Sequence, residues 1–192
     1  MNYLKSELLP LTTERLLLRL LEPEEAELMA RYVNENREHL KPWEPSRPEG
    51  YYTTEFWQLE LKRRQNDFFM GEAVRLAIFF KGSPGGPVVG VCNFTEIMRG
   101  AFQACFLGYS VHQTYQGLGI MHEALEAAVD FMFKKFELHR VMANYMPRNE
   151  RSGRLLKKLG FTVEGFARDY LNINGKWEDH ILTAKIRYDE WK

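Results

Sequence analysis

The sequence predicts an α+β (mixed α/β) chain whose central, mostly antiparallel sheet has about seven strands and is accompanied by four helices. Three observations point there. The glycine- and proline-rich KGSPGGP separates two apolar runs, Asn174-Gly175 separates the last two, and apolar residues at helical spacing are set between strands.

After a leader over residues 1–10, LTTERLLLRLL at 11–21 reads as one strand. Pro23 suits a first helical turn and the carboxylates around it suit the positive end of a helix dipole, so a helix is expected to residue 36. Three prolines make HLKPWEPSRPEG (39–50) a structured loop. A second helix is expected over 54–67, then strands at 74–80 and 88–97, and a third at 102–111 after the tight turn 98–101. Leu125, Ala128, Val129, Met132 and Phe133 have the spacing of a helix over 121–136. A strand at 140–146, a helix at 149–159 and strands at 161–171 and 177–186 complete the order β, α, α, β-β-β, α, β, α, β-β. No repeat, low-complexity tract or linker interrupts it, and 192 residues with 45% apolar content suit one domain over 11–192.

Composition excludes several classes. The 26 basic and 26 acidic residues cancel, so no global field draws the chain to nucleic acid or an anionic membrane. Cys92 and Cys105 lie in apolar runs without metal-ligand spacing, which implies a reducing cytoplasm and no metal. The N-terminus lacks a signal-peptide pattern, and no stretch approaches the roughly 20 apolar residues of a membrane span.

Chemistry is concentrated in Gln116-Gly117-Leu118-Gly119-Ile120-Met121, between a strand and a helix. Glycines there let the backbone approach a ligand, and the unpaired amides of a helix start attract a phosphate or pyrophosphate. Neither a Walker loop nor a dinucleotide fingerprint is present. A two-glycine turn alone reads better as an ordinary strand-to-helix connection. Downstream, Asn149 is placed as an N-cap and Gly160 as a helix terminator.

Together these segments resemble the GNAT superfamily of N-acetyltransferases. Gln116-x-x-Gly119-x-Met121 is similar to its coenzyme A motif, and NERSGRLLKKLGF (149–161) to its following motif N-x-x-S/A-x-x-L-x-x-x-x-GF. Met121 stands where the superfamily has a small residue. Within the superfamily, HLKPWEP, GVCNF, RGAFQACFLGYS, YQGLGIMHEAL and EGFARDYLNINGKWEDHILTA resemble the ribosomal-protein-alanine acetyltransferases, a likeness that runs from residue 11 to beyond 184. The resemblance implies the GNAT acyl-CoA N-acyltransferase fold, acetyl-coenzyme A as cosubstrate, and acetylation of the N-terminal alanine of a small-subunit ribosomal protein, with the assembling subunit as partner and a monomer or homodimer as the working form. It also implies that strands ending at Tyr109, Ser110 and Val111 and starting near Val141 splay apart. The pantetheine arm then adds beside the first, amides over 107–109 face the thioester oxygen, and the amine attacks directly through a tetrahedral intermediate.

An α-amine, with a pKa of about 7.7–8.0, makes a strong base optional. Glu44, His112 and Asp169 are the candidate bases; taken singly, Glu44 reads more readily as solvated, His112 as a strand-end polar residue and Asp169 as ion-paired. The resemblance implies Ser152 as the acid for the leaving thiolate, because Leu156 occupies the superfamily's usual tyrosine position. Tyr145 and Tyr170 are substitutes. Trp43, with Glu44, Asp169 and Tyr170, is expected on the acceptor side; Trp57, Phe68 and Phe69 read more naturally as core. An acyl-cysteine at Cys105 is rejected for want of a neighbouring base. Two rival readings stand: acetylation of a polyamine, aminoglycoside or amino acid, and a ribosome-assembly role through the basic clusters at 62–64 and 148–158.

Overall fold

The computed structural model describes residues 9–188. The leader expected over 1–10 lies outside them save for its last two residues. The strands are β1 (Leu11–Thr12), β2 (Leu16–Arg19), β3 (Val74–Phe80), β4 (Gly90–Met98), β5 (Ala104–Val111), β6 (Arg140–Met142), β7 (Thr162–Ile173) and β8 (Lys176–Ile186). They form one eight-stranded sheet in the order β1-β2-β3-β4-β5-β6-β8-β7. Five helices accompany it: α1 (Ala26–Glu35), the single turn α2 (Arg37–Leu40), α3 (Thr54–Met70), α4 (Ile120–Lys134) and α5 (Glu150–Lys158).

The eighth strand arises because the run expected as one strand over 11–21 folds back on itself. Thr13 makes the turn: its amide donates to the Leu16 carbonyl (3.0 Å) and its hydroxyl accepts from the Leu16 amide (3.0 Å). Elsewhere the local signals act as read. Asn149 caps α5 by accepting from the Ser152 amide at 3.2 Å, and Gly160 follows α5 at φ 84°. Asn174 and Gly175, at φ 47° and 81°, close β7 onto β8, as a two-residue hairpin of this hand requires.

All pairings are antiparallel except β5 with β6. Between those two strands runs α4, whose length returns the chain to the end of the sheet from which β5 started. Side chains alternate across the sheet, and the two faces bury different helices. Leu76, Ile78, Cys92, Phe94, Cys105 and Leu107 pack with α4 and α5. Ala77, Phe79 and Val91 pack with Met29, Tyr32 and Val33 of α1 and with Trp57 and Leu61 of α3.

The sheet opens between β5 and β6. They pair over three residues only, the last pair being Phe106 with Met142. The strand expected over 140–146 is regular only to Met142, because from Ala143 the chain leaves β5 and follows β8 instead. The Ala143 amide donates to the Thr183 carbonyl (3.0 Å), and Tyr145 bridges to Ile181. The rest of β5, from Leu107 to Val111, therefore has β4 on one side and a gap on the other.

Candidate active site

The gap widens into a cavity of about 660 Å³, lined from both faces of the sheet. That volume lies within the range of pockets that hold cofactors and small ligands. The backbone of β5 supplies donors to it. The His112 amide bonds the Val89 carbonyl (2.9 Å), so it points toward β4. By alternation the amides of Val111 and Tyr109 point the other way, into the gap.

At the α4 end of the gap, Gly117 and Gly119 have φ 77° and 76°. The first i to i−4 bond of α4 joins the Glu123 amide to the Gly119 carbonyl, and no side chain caps the helix. The amides of Ile120, Met121 and His122 are thus left for a ligand. A Cβ at Gly119 would meet only the Arg15 guanidinium, 3.5 Å away, and one at Gly117 would meet nothing. Arg15 holds this loop from the β1–β2 hairpin, donating to the Leu118 carbonyl (3.0 Å) and pairing with Glu123 (2.6 Å). The Gln116 side chain is held from both sides: Arg151 donates to its Oε1, and its Nε2 bonds the His39 ring. Burial, and then the charge of Arg151, push the His39 imidazole below its ordinary pKa, which leaves a neutral ring to accept that bond. Arg151 keeps further N–H groups for an anion. A glycine cradle, open helix amides, an arginine and an open strand edge fit a pyrophosphate joined to an extended amide-bearing arm, as in coenzyme A.

A family model described as an acetyltransferase (GNAT) domain matches residues 15–162. The chain belongs to the GNAT acetyltransferase family. It is accordingly an acetyl-coenzyme A-dependent N-acetyltransferase. It is 47% identical over 174 residues to the [ribosomal protein uS5]-alanine N-acetyltransferase of Escherichia coli (strain K12), covering 91% of this chain and 89% of that one. The crystal structure of a ribosomal-protein-S5-alanine acetyltransferase from Vibrio fischeri superposes with a TM-score of 0.90 at 41% identity, covering 96% of this chain and 99% of that one. Mycobacterium smegmatis RimJ in complex with CoA-disulfide gives 0.84 at 27% identity, covering 92% and 84%.

In this GNAT protein the expected residues divide between the two faces. Tyr109, Gln116, Gly117, Gly119, Ile120, Met121, Asn149 and Ser152 line the cavity on or beside the α4–α5 side. Leu118 does not; its side chain is exposed, and its carbonyl serves as the Arg15 contact. Met121, for all its bulk, is 7% exposed and fits over Gly90: a Cβ there would lie 3.2 Å from its methyl group. Its side chain thus packs into the core, clear of the helix amides. Ser152 and Tyr109 share a hydrogen bond between hydroxyls at 2.7 Å. Burial pushes the Tyr109 phenol up to about 12, with Ser152 opposing, so this pair is neutral and protonated at physiological pH. Tyr145 lines the cavity too, seated against α5 where a Cβ on Gly153 would come within 2.7 Å of its ring.

Across the sheet, Ser110 meets the Tyr32 hydroxyl at 2.9 Å, and Trp43 and Glu44 form the outer wall. Their loop is tied to the β7–β8 hairpin. The Asn174 amide donates to the Glu44 carbonyl (3.0 Å), while Arg148 lies 5.1 Å over the Trp43 ring, donates to the Pro42 carbonyl (3.2 Å) and pairs with Glu178 (3.0 Å). Burial raises the Glu44 carboxyl above the ordinary carboxylate range, with Arg47, 3.5 Å away, opposing.

Three expected residues stand apart from the cavity. His112 is turned to Glu35 (3.2 Å) and accepts from the Thr114 amide, which occupies both ring nitrogens. Asp169 sits in a hairpin irregularity at φ 46°, its amide held by Asp179 (2.9 Å). Tyr170 meets the cavity through two lining residues: the Asn144 side-chain amide donates to its hydroxyl at 3.3 Å, and its ring lies 5.5 Å from that of His180. Phe68 is in the α4-side core and Phe69 at the surface. Both cysteines are buried thiols pushed up to about 12 by burial, which leaves Cys105 no thiolate for acyl transfer. Sequence reading missed His39, Arg151 and Tyr32. Arg151 had a signal, a cation one residue into the helix of the second motif, and His39 opens the HLKPWEP segment; Tyr32 had none.

Proposed function

We propose that this acetyltransferase acetylates the α-amine of an N-terminal alanine on a small-subunit ribosomal protein in the cytoplasm. One observation carries the choice of acceptor: among the described residues lining the cavity, Glu44 is the sole acidic side chain, against Arg47, Arg64, Arg151 and Arg154. A polyamine or aminoglycoside, with several positive charges, needs a carboxylate-rich pocket; a peptide N-terminus needs one partner. The names of the Escherichia coli and Vibrio fischeri relatives support the same acceptor. Among the described residues no helix is long and apolar enough to cross a membrane. The basic cluster at 62–64 is largely engaged, Arg63 and Arg64 pairing with Glu60 at 2.8 Å, which weighs against an RNA-binding role for it.

Acetyl-coenzyme A supplies the activated acetyl group. The chain's part is to hold the coenzyme by the amides of α4 and β5, to bring the amine into the gap beside Gly108, and to exclude water there. The Tyr109 amide faces the place where negative charge develops on oxygen, and Glu44 receives the amine's proton. The Ser152 hydroxyl, oriented by Tyr109, offers a proton to the departing sulfur. A thiol of pKa about 8.5 leaves readily without help, so Ser152→Ala is expected to lower kcat by less than about tenfold. Single-turnover acetylation at pH 7 measures it.

The acceptor is tested with radiolabelled acetyl-coenzyme A and peptides beginning with alanine, serine or blocked alanine, beside spermidine and an aminoglycoside. Transfer confined to the free N-terminal alanine is the expected result. Transfer to the polyamine or aminoglycoside instead moves the protein to a small-amine acceptor, and coenzyme binding without transfer to any amine favours the assembly role.

A further inference from the structure

Two residues that line the cavity each carry a buried polar atom with no partner: the Trp57 indole Nε1, a donor, and the Asn93 Oδ1, an acceptor. Trp57 is fully buried on α3, its ring capped by the Arg64 guanidinium 4.7 Å from the ring centroid. Asn93 is two residues along β4 from Val91, which packs against Trp57, so both residues belong to the α1–α3 face. Asn93 is paired in register with Gly108 on β5, and a Cβ on Gly108 would meet nothing within 4 Å. Open space therefore adjoins Asn93 beside the gap, on the face opposite Tyr109 and Ser152. An asparagine interrupts an otherwise buried apolar stretch of β4, and an unsatisfied buried carbonyl is costly enough to need a reason.

We propose that Asn93 Oδ1 and Trp57 Nε1 form a recognition subsite for the backbone of the acceptor's first residue, Asn93 accepting from its N–H and Trp57 donating to its carbonyl oxygen. This rests on the reading that a peptide N-terminus is the acceptor. A first residue supplies one donor and one acceptor a short distance apart, matching the two unpaired atoms in kind. A polyamine supplies donors only and leaves the indole unsatisfied. Sites built to hydrogen-bond a substrate group discriminate strongly against ligands that lack it.

The test uses the full chain with an alanine-terminated peptide. Asn93→Leu and Trp57→Phe are each expected to lower kcat/KM for the peptide about tenfold or more, while the thermal shift given by coenzyme A stays unchanged. In wild type, the Trp57 indole N–H resonance, assigned by its loss in Trp57→Phe, is expected to move when peptide is added in the presence of coenzyme A. Folded variants within twofold of wild type, or a resonance that stays in place, overturn the subsite. A wild type that moves the resonance yet transfers acetyl to no alanine peptide overturns the proposed function and leaves the subsite standing.

Discussion

Thermal stabilisation by coenzyme A is expected to vanish in Gly119→Val. Gly119 sits at φ 76°, immediately before α4, and its conformation aims the amides of the following turn at the proposed coenzyme site. A β-branched residue there is a steric outlier, and an ordinary L-residue in the left-handed region already costs about 1–2 kcal/mol. The loop relieves the strain by re-aiming the amides, and the Arg15 contact to Leu118 is pulled out of register with them. For wild type, coenzyme at a hundred times its Kd adds about 2.7 kcal/mol, which in a chain of this size raises the midpoint by about 5–10 °C. The variant is expected to show no shift. Gly82→Ala is the control, because that loop glycine has open space around it and no left-handed backbone. A retained shift in Gly119→Val would mean that the loop is an ordinary turn.

Glu44→Gln is expected to lower kcat for an alanine-terminated peptide by about a hundredfold while the coenzyme thermal shift stays unchanged. Its effect on pH dependence follows from the raised pKa. Wild-type activity should rise with pH through a limb set above the ordinary carboxylate range, where Glu44 loses its proton. The glutamine variant should keep only the limb of the acceptor amine, at about 7.7–8.0. Stability runs in the opposite sense. The folded chain holds the carboxyl proton more tightly than the unfolded chain, so stability declines as pH rises between the two pKa values. Glutamine escapes that loss: its midpoint should exceed wild type at pH 8, and the difference should disappear below the unfolded carboxylate's pKa. A glutamine variant that raises KM with kcat intact would assign Glu44 to holding the ammonium instead of taking its proton.

The half of the site proposed to bind coenzyme is legible in the sequence because its signals are local. Glycines at 117 and 119 need left-handed backbone, Asn149 caps its own helix, and Gly160 ends it, each within a few residues. The acceptor half is not, because its geometry depends on distant segments. Glu44 is fixed by the Asn174 amide, and Trp43 by Arg148, more than a hundred residues along the chain in both cases. His112 shows the converse: it adjoins the motif in sequence, yet Glu35 on α1 turns its ring away from the cavity. Thr13 escaped notice as a turn because the chain reverses there without glycine or proline, through a hydroxyl in place of a left-handed residue. Trp57 reads as core, and it is buried; Asn93, half-buried on β4, carries no local signal, and the polar atoms left over emerge only once α3 is laid on β4.

The parting of β5 and β6 is an aperture through the sheet, with the proposed coenzyme residues on the α4–α5 face and the proposed acceptor wall on the α1–α3 face. Two doors serve one chamber. A polypeptide whose first residue is threaded in from one side can remain anchored to a body of any size, since nothing of that body has to pass the entrance used by the nucleotide.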